Sequence, residues 1–376
     1  MPQTQTVPQF LVNRAAFARE LDFVSMAGET KNTIPILATV KLDAGDGRLK
    51  LTATNLDVTA QSQVSIDTPA TGAICVDLRR LSGLVKNISE GEVSLAIEPG
   101  KLQVKAGRSK FSLAGWDVDK FPNVENVEGQ LVALPTAALK AMVAATVRAV
   151  DVELSKFGNT QVMELRASGG RLLTTSCNQQ LALRTEVETA SVSDFSVGLH
   201  RPFFPALASL SANSDAPTVC VIGERAVKFE NGHRAVSGKL MSGNLPQYDL
   251  LFNRKKDVIG RFEKADFQQA LRRLLIVSDD TEKGFKPLSV AVASDYVELS
   301  AEAKDVGTGN DGFAIESAIA NFNCRSNAFN LRGALDACES SQLEMSRDSA
   351  SVRFDATWLI TESLTLRFTA LCATLA

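Results

Sequence analysis

The chain has 376 residues, which is enough for two or three separate hydrophobic cores. Hydrophobic residues make up 45% of it and charged residues 22%, as in ordinary globular proteins. With 40 basic and 43 acidic residues, the formal net charge is −3. This balance excludes a uniformly basic nucleic-acid-binding coat, but it allows a basic surface that acidic surfaces offset elsewhere.

The sequence predicts a reduced, cytoplasmic protein. Its first eight residues lack the basic region and apolar core of a secretory signal. No apolar run approaches the roughly 18 residues that a membrane span needs. The six cysteines are scattered and form no C-x-x-C pair, a pattern typical of reduced and partly buried thiols in the cytosol.

The first 120 or so residues show the same order of elements twice, a helix followed by strands. Apolar residues at helical spacing, with Asn13 as the N-cap, predict a helix over 13–26, and a second helix is predicted over 78–88. Alternating apolar residues and turn signals predict the strands. These strands cover 34–42, 49–54, 59–66, 74–76, 93–97, 101–105 and 110–113.

The same order recurs in two further units. Helices are predicted over 136–147, 202–211, 264–277 and 327–337. Strands are predicted over 162–165, 171–175, 181–185, 218–222, 226–229, 235–240, 288–292, 296–300, 343–345, 351–354 and 364–368. The glycine-rich segment 307–312 is interpreted as a mobile loop, because glycine favours turns.

A single short helix cannot form a core, so each helix is expected to pack on one face of an antiparallel sheet, in an α+β fold. The repeat predicts three similar domains, each with two helices packed on antiparallel sheets. Their predicted boundaries are 1–124, 131–247 and 257–376, with linkers over about 122–132 and 245–258.

Motifs for catalysis are missing from the sequence. It has no P-loop and no G-x-G-x-x-G motif, and its two histidines, His200 and His233, lack the spacing of a metal site. Asp279, Asp280 and Glu282 form the tightest acidic group, which we interpret as a solvated loop. We therefore expect surfaces that bind partners rather than an active site, with no cofactor and no metal.

Basic residues collect on the predicted helices, while acidic residues favour turns and strands. Any one of these side chains could lie on an ordinary solvated helix face. If the helices line one common surface, however, that surface is positive and suits a phosphate backbone without reading its sequence. The residues are Arg14, Arg19, Arg79, Arg80, Lys86, Lys140, Arg148, Arg201, Lys264, Arg272, Arg273 and Arg332.

Four short segments carry a family resemblance. They are Asn-Thr-Ile-Pro-Ile-Leu over 32–37, Gly-Arg-Leu-Lys-Leu-Thr-Ala-Thr-Asn-Leu over 47–56, Gly-Arg-Ser-Lys-Phe-Ser-Leu over 107–113 and Phe-Pro-Asn over 121–123. In this order, and with the threefold repeat, the chain resembles the bacterial DNA polymerase III beta subunit, the sliding clamp, over essentially its whole length. The resemblance implies a head-to-tail homodimer whose six similar domains close into a ring around duplex DNA. It also implies that the ring tethers a polymerase, catalyses nothing, binds no cofactor and is loaded by a separate ATP-driven loader.

The resemblance assigns residues to two surfaces. Those assigned to DNA contact are Lys31, Arg79, Arg80, Lys86, Lys156, Phe157, Arg201 and Lys286. The strand with Lys110, Phe111 and Leu113 is expected to pair with the third domain of a second subunit near Leu275, Ile276 and Val277. An edge strand left unpaired invites association, so a second chain should cover it.

A third surface implied by the resemblance is a pocket between the second and third domains. In the family it receives a short peptide motif from polymerases and the clamp loader. The family's Thr-Asp-Gly-His-Arg-Leu-Ala reads Ser-Cys-Asn-Gln-Gln-Leu-Ala over 176–182, and Leu250 and Leu251 stand where a basic residue and a valine are common. The pocket residues are Ser176, Asn178, Gln179, Gln180, Leu181, Pro246, Leu250, Leu251 and Leu371.

The sequence is compatible with three functions. The first is a sliding clamp that confers processivity on the replicative polymerase. The second is a divergent clamp paralogue that serves a specialised polymerase or a mobile-element partner, which the altered stretch 176–182 favours. The third is a small-molecule enzyme on a repeated α+β scaffold, against which the missing motifs argue.

Overall fold

The computed structural model describes most of the chain as two compact units. By chain position, the first unit comprises 1–136 with 202–240, and the second comprises 137–201 with 241–376. The described residues are 9–28, 34–67, 71–124, 126–150, 161–189, 192–211, 216–241, 245–277, 286–303, 307–316 and 321–375.

Helices alternate with groups of strands along the chain. The helices are α1 (Arg14–Ser25), α2 (Leu78–Asn87), α3 (Thr136–Thr146), α4 (Phe203–Ser209), α5 (Asp249–Phe252), α6 (Lys264–Val277) and α7 (Ala328–Ala337), with short 3-10 turns at Pro35–Ala38, Val118–Lys120 and Val147–Ala149. The strands are β1 (Gln9–Asn13), β2 (Thr39–Gly45), β3 (Arg48–Thr54), β4 (Val58–Ser65), β5 (Gly72–Asp77), β6 (Glu92–Glu98), β7 (Lys101–Ala106), β8 (Ser109–Trp116), β9 (Gln130–Leu134), β10 (Val162–Ser168), β11 (Arg171–Cys177), β12 (Leu181–Glu188), β13 (Phe195–His200), β14 (Thr218–Ile222), β15 (Ala226–Asn231), β16 (Arg234–Lys239), β17 (Asp257–Glu263), β18 (Pro287–Ala293), β19 (Tyr296–Ala303), β20 (Gly307–Ala314), β21 (Phe322–Asn327), β22 (Gln342–Arg347), β23 (Ser351–Thr361) and β24 (Leu364–Leu375).

The first unit is built on one antiparallel sheet in the order β1-β6-β7-β8-β5-β2-β3-β4-β16-β15-β14-β9. Helix α1 packs on β3 and β4 and against α2. Its residues Phe17, Leu21 and Val24 lie fully buried at helical spacing, as the sequence predicts. Asn13 caps the helix, because its Oδ1 accepts a hydrogen bond from the Ala16 backbone N–H at 2.9 Å.

The second unit has a branched antiparallel sheet. Its main path runs β13-β10-β11-β12-β24-β21-β18-β19-β20, and β23, β22 and β17 branch from β24. Helix α6 packs on β19 and β20, and α7 packs on β21 and β24. A cluster of aromatic rings fills the core beneath α6, where Phe267 stacks on Phe313 with ring centroids 4.8 Å apart and Phe262 lies 5.5 Å from Phe267.

The α+β architecture is confirmed, but several predicted elements were wrong in detail. The strand predicted over 34–42 begins as a 3-10 turn at Pro35 and becomes extended only at Thr39, because proline suits the first position of a helical turn. The predicted linkers are partly ordered, since the first ends in β9 and the second contains α5 and the start of β17. The strands β1, β13 and β21 are not predicted from the sequence.

The glycine-rich segment 307–312 is a strand and not a loop. It forms most of β20, which pairs with β19 along its whole length. A Cβ at Gly309 would lie 2.7 Å from Val277 Cγ2, and one at Gly312 would lie 2.2 Å from the Val297 carbonyl oxygen. Glycine is therefore needed here because α6 and β19 approach closely. The glycines reflect close packing and not the mobile loop that the sequence predicts.

The predicted division into three domains stays a prediction. Strands of the predicted middle domain lie in both units: β9 and β14–β16 in the first, β10–β13 in the second. The pairing of β4 with β16 and of β12 with β24 continues each sheet across a predicted boundary. None of the helices within the described ranges is long and apolar enough to cross a membrane.

Candidate nucleic-acid and partner-binding sites

Exposed basic side chains lie on α1 and α2, as the sequence predicts. Arg19 on α1 and Arg79 and Arg80 on α2 are all exposed. Lys86 is also exposed, and its Nζ lies 2.6 Å from Asp22 Oδ1 in an ion pair between the two helices. Because such exposed pairs contribute at most about 1 kcal/mol, Lys86 can exchange its partner at small cost.

The other residues assigned to DNA contact have different surroundings. Arg201 is half-buried, and its Nη1 donates a hydrogen bond to the Val150 carbonyl oxygen at 2.9 Å. Lys286 is only 6% exposed, with its Nζ 5.4 Å from the ring centroid of Phe329. This burial does not favour a direct phosphate contact by Lys286. Lys31, Lys156 and Phe157 lie outside the described residues.

Further exposed cations occur on the remaining helices and turns. They are Lys140 on α3, Arg148 in the turn that follows it, Arg272 on α6 and Arg332 on α7. Lys264 is half-buried, and its Nζ donates a hydrogen bond to the Cys338 carbonyl oxygen at 2.7 Å. The helices of both units therefore carry exposed positive charge, although the chain as a whole is slightly acidic.

Strand β8 leaves one edge open in its first six residues. Residues 109–114 pair with β7, whereas β5 pairs only with Gly115 and Trp116. Phe111 on this segment is 39% exposed, and Leu113 is half-buried. Lys110 lies directly opposite Lys105 on β7, which is a repulsive arrangement unless an acidic partner approaches. The open edge, the exposed ring and the like charges mark this strand as a surface for association.

Strand β20 forms a second sheet edge, since it ends the main path of the second unit's sheet and pairs with β19. Beside it, the last turn of α6 exposes Ile276, which is 80% exposed, and leaves Leu275 and Val277 half-buried. On β19, Glu298 and Glu302 are exposed. The residues predicted on this surface are thus accessible and have acidic neighbours.

A bidentate ion pair lies on this second surface, between Arg273 of α6 and Asp311 of β20. One of its hydrogen bonds joins Arg273 Nη2 to Asp311 Oδ1 at 2.9 Å. The Arg273 guanidinium holds the pKa of the Asp311 carboxyl below its usual value. Asp311 therefore stays ionised near neutral pH and fixes α6 to the edge strand.

The predicted peptide pocket centres on the turn between β11 and β12. Asn178 Oδ1 accepts hydrogen bonds from the backbone N–H groups of Gln180 and Leu181 at 2.9 and 2.8 Å, so the side chain stabilises the turn. Gln180 Oε1 accepts from the side-chain amides of Asn327 and Asn330 at 2.9 and 2.8 Å. These bonds fix the turn to the start of α7.

The remaining polar residues of this group differ in accessibility. Ser176 is fully buried, and its hydroxyl donates to the Thr146 carbonyl oxygen. Gln179 at the tip of the turn is exposed, as is Pro246. Ser176 therefore has a structural role in the core, whereas Gln179 and Pro246 are open to a partner.

An apolar cluster lies next to this turn. Its buried members are Ala182, Phe252 and Leu371, with Cys177 and Leu251 half-buried against them. The strand register places Ala182 opposite Leu371 and Leu181 opposite Cys372. Because side chains alternate between the faces of a strand, Leu181 points away from the cluster, toward Gly333 of α7.

The structure thus brings together Leu251 and Leu371 of the predicted pocket, but not Leu181. The apolar cluster also contains three residues that are not predicted from the sequence: Ala182, Cys177 and Phe252. Ala182 and Cys177 could have been found from the strands β12 and β11, because every second residue of a strand lies on the same face. Phe252 lay in a segment read as a linker, where no periodicity identifies a buried side.

Helix α5 is joined to the sheet by an acidic residue with two arginine partners. Arg166 of β10 donates two hydrogen bonds to the Asp249 carboxylate, at 3.0 and 2.9 Å. Arg184 Nη2 of β12 lies 2.7 Å from Asp249 Oδ1, and its guanidinium stacks 4.3 Å from the ring centroid of Phe252. The hydrogen bonds from Arg166 hold the pKa of Asp249 below its usual value, although partial burial opposes them.

The comparisons with known proteins agree with one another. Residues 8–125 match the family model of the DNA polymerase III beta subunit, N-terminal domain. The curated beta sliding clamp of Pseudomonas aeruginosa is 25% identical over 281 residues, which cover 74% of this chain and 77% of the relative. That of Salmonella typhimurium is 25% identical over 362 residues, covering 92% of this chain and 95% of the relative.

Solved structures show the same fold over nearly the whole chain. A sliding clamp from Pseudomonas aeruginosa bound to griselimycin superposes with a TM-score of 0.87 at 21% identity, covering 98% of this chain and all of that one. The DNA polymerase sliding clamp from Bacillus subtilis gives a TM-score of 0.84 at 19% identity and covers 99% of this chain. By its sequence matches the chain is similar to the bacterial beta sliding clamps, its residues 8–125 match the N-terminal domain of the DNA polymerase III beta subunit, and its fold is that of the solved clamps.

Proposed function

We propose that this chain is a non-catalytic processivity factor, which encircles duplex DNA as a homodimeric ring and tethers the replicative polymerase. The similarity to beta sliding clamps carries this proposal, because a sequence match extends over 92% of the chain. The exposed edges of β8 and β20 add independent support, since a ring built head to tail needs two different surfaces on each copy.

Contact with DNA is proposed for the exposed basic residues of the helices. Arg79, Arg80 and Lys86 of α2 are the best placed of the assigned residues that the structure describes, because all three are exposed. Such contacts bind phosphates without reading the base sequence, so affinity for DNA should fall steeply with salt. A ring that is held by topology needs no tight contact of this kind.

Ring closure is proposed to join β8 of one copy to β20 of the next. Phe111 and Leu113 of β8 would then pack against Leu275, Ile276 and Val277 of the partner's α6, covering apolar surface that is exposed in the single chain. Lys110 and its neighbour Lys105 would approach β19, the strand next to β20, which carries exposed Glu298 and Glu302. Opposite charges at the two edges favour head-to-tail pairing over pairing of like edges.

Closure predicts the mass of the protein in solution. One chain has a mass of 40.3 kDa, and sedimentation equilibrium at micromolar concentration should give twice this value. The mass should not rise further with concentration, because a closed ring leaves no free edge. A strict monomer, or a mass that grows without limit, would contradict the closed dimer.

The apolar cluster beside α5 is proposed to receive a short peptide from DNA polymerase and clamp-loader subunits in the cytoplasm. The cluster supplies buried apolar residues from β12, α5 and β24. Gln179, in the turn between β11 and β12, and Pro246, shortly before α5, are exposed. The comparisons do not favour the small-molecule enzyme. Nor do they favour the divergent paralogue, although the altered turn over 176–182 leaves the peptide preference to be measured.

A further inference from the structure

We propose that the open edge of β23, over residues 356–361, docks an extended segment of a partner protein, which pairs with β23 as an added strand. The segment carries acidic side chains that alternate with apolar ones. The site uses other residues than the proposed peptide site, whose predicted residue Leu250 is exposed on α5. It therefore goes beyond the proposed function and does not depend on it.

The open edge arises because β23 continues past its neighbour β22. The two strands pair from Arg347 opposite Val352 to Glu344 opposite Asp355. Beyond this point β23 continues to Thr361, paired with β24, while residues 342 and 343 of β22 pair only with β17. Among the described residues, none pairs with the other edge of β23 over 356–361. The backbone N–H and C=O groups of that edge can therefore pair with another strand.

The first unit contains a similar group of strands without this edge. There β6, β7 and β8 pair in the same order as β22, β23 and β24. Strand β7 ends at Ala106, one residue after its last pair with β6 at Lys105. Strand β23 instead runs for six residues past Asp355. The longer hairpin is thus not needed to build this part of a sheet, which favours a role for it in binding.

A cavity of about 600 Å³ lies where β22 and β23 separate. Its lining includes Ala356 and Thr357 of the open edge, together with Gln342 and Leu343 at the start of β22. Five cations line the cavity against three acidic residues. The cations are Arg184, Lys256, Arg261, Arg353 and Arg367. This excess of positive charge favours a partner that carries carboxylates.

Strand pairing places the charged residues on one face of the sheet. The register puts Asp355 opposite Glu344, and Glu344 opposite Arg261. Thr357 lies two residues after Asp355 on β23 and stands opposite Arg367 of β24. Directly opposite residues share a face, as do every second residues along a strand. An added strand would therefore have every second side chain on the face that carries Arg261 and Arg367.

Two of the cations can change partners at small cost. The side chain of Arg261 is 68% exposed, and its Nη2 lies 3.5 Å from Glu344 Oε2. The side chain of Arg367 is 58% exposed, and its Nη2 lies 2.9 Å from Oε1 of Glu188, which is itself 71% exposed. Because such exposed pairs contribute at most about 1 kcal/mol, the carboxylates of a partner can replace them.

Asp355 fixes two other cations beside the edge. Its carboxylate accepts hydrogen bonds from Arg353 Nε at 2.8 Å, Lys256 Nζ at 2.8 Å and the Thr369 hydroxyl at 2.7 Å. Burial alone would raise the pKa of Asp355, but these hydrogen bonds lower it below its usual value. Asp355 therefore stays ionised near neutral pH and keeps Arg353 and Lys256 in place.

The opposite face of β23 is apolar at the open edge. Ala356, Trp358 and Ile360 alternate with Thr357 along the strand and are all half-buried. Trp358 packs against Phe368 of β24, with ring centroids 5.8 Å apart. An added strand would cover this surface with its remaining side chains, so its sequence should alternate between acidic and apolar residues.

A second copy of this chain does not fit the site. Pairing of two β23 edges would bring Lys256, Arg261 and Arg367 of both copies together, and like charges repel. The occupant is therefore an acidic segment of a different protein.

Fluorescence anisotropy on the full chain tests the charge of the site. The probe is a fluorescein-labelled peptide of alternating glutamate and valine, and a lysine–valine version is its control. Arg261→Glu combined with Arg367→Glu should weaken the glutamate peptide at least about tenfold and improve the lysine version, because repulsion replaces attraction. The matched control is Arg48→Glu with Lys50→Glu, at two exposed cations of β3 in the first unit, and it should leave both affinities unchanged.

Backbone pairing is tested on the parent chain, so that no variant has to fold. Successive N–H groups of an extended peptide point to opposite edges, and only one edge of an added strand pairs with β23. N-methylation of every glutamate and N-methylation of every valine therefore block opposite edges of the peptide. One of these peptides should bind as the unmodified peptide does, and the other should bind at least about tenfold more weakly.

The proposal is overturned if the glutamate peptide does not bind at millimolar concentration or if the lysine peptide binds equally well. Unchanged affinity in the Arg261→Glu, Arg367→Glu variant would also overturn it. Equal binding of the two N-methylated peptides would show that the peptide is not an added strand. None of these results bears on ring closure or on the site beside α5, so the proposed function would stand.

Discussion

Replacing Phe111 and Leu113 with aspartate should convert the dimer into single chains of 40.3 kDa. Burying each of these side chains at the interface contributes about 1.5–3 kcal/mol, so losing both raises the dissociation constant at least about a hundredfold. The new carboxylates would also approach Glu298 and Glu302 of β19, beside the partner's edge strand, which adds repulsion. Phe111 is already 39% exposed in the single chain, so the fold itself should survive.

Sedimentation equilibrium of the double variant checks this prediction against a control. Leu359→Asp places a carboxylate at another exposed leucine, on β23, and should keep the mass of two chains. Circular dichroism identical to that of the parent chain would show that the double variant is folded. A folded double variant that keeps twice the chain mass would mean that β8 is not the interface.

Removing Arg234 should destabilise the first unit by about 3–5 kcal/mol, because it leaves a buried carboxylate without its main partner. Glu20 of α1 is 3% exposed and accepts hydrogen bonds from Arg234 Nε at 2.7 Å and Nη2 at 2.9 Å. The Ser62 hydroxyl donates a further bond at 2.6 Å. These contacts join α1 to β16, and so connect the predicted first domain to the predicted middle one.

Urea unfolding of Arg234→Met gives the change in the free energy of unfolding. The control is Lys239→Ala, which removes an exposed ion pair with Asp57, both side chains being more than 60% exposed. That control should cost less than about 1 kcal/mol, because solvent screens the pair. Replacing Glu20 and Arg234 together with apolar residues should cost less than Arg234→Met alone. If Arg234→Met and Lys239→Ala lowered the free energy of unfolding equally, Arg234 would not be needed to stabilise the buried Glu20 carboxylate.

The same residue gives the stability a defined pH dependence. Burial alone would raise the pKa of Glu20, but the hydrogen bonds from Arg234, Ser62 and His233 outweigh it and lower the pKa below its usual value. A carboxyl with a lowered native pKa contributes stability that is fully present above its unfolded pKa, about 4.3, and is lost as the pH falls through the native value. Part of the decline in stability below about pH 4.3 should therefore be absent in Glu20→Gln.

Much of the fold could be predicted because its helices have a strong period of 3.6 residues. The bounds predicted for α6 agree with those of the structure, and α1 was placed to within a residue at each end with the correct cap. The errors fall where local chemistry and packing conflict. A segment that contains Gly309 and Gly312 is typical of a loop by its composition. In the structure it is a strand, and glycine is required at both positions because α6 and β19 lie too close for a side chain. The short strands β1 and β9 have too few residues for alternation to be recognised.

Less of the proposed peptide site could be predicted, because its key contacts join distant parts of the chain. Asp249 meets Arg166 across 83 positions, and no local pattern marks either residue as a partner of the other. The family resemblance pointed to Leu251 and Leu371, but it also included Leu181, which the strand register turns toward α7. Side chains that match a family motif by position can thus lie on the opposite face from the cluster they were expected to form.

The proposed function depends on topology, so retention on DNA of different topology tests it most directly. The chain is loaded onto a nicked circular plasmid with a bacterial clamp loader and ATP, and the loaded DNA is separated from free protein by gel filtration. The plasmid is then cut at one site. The protein should elute with the circular DNA and leave it after linearisation, because a closed ring slides off a free end. Equal retention on circular and linear DNA would show that the protein is held by contacts rather than by encirclement, and would contradict the sliding clamp.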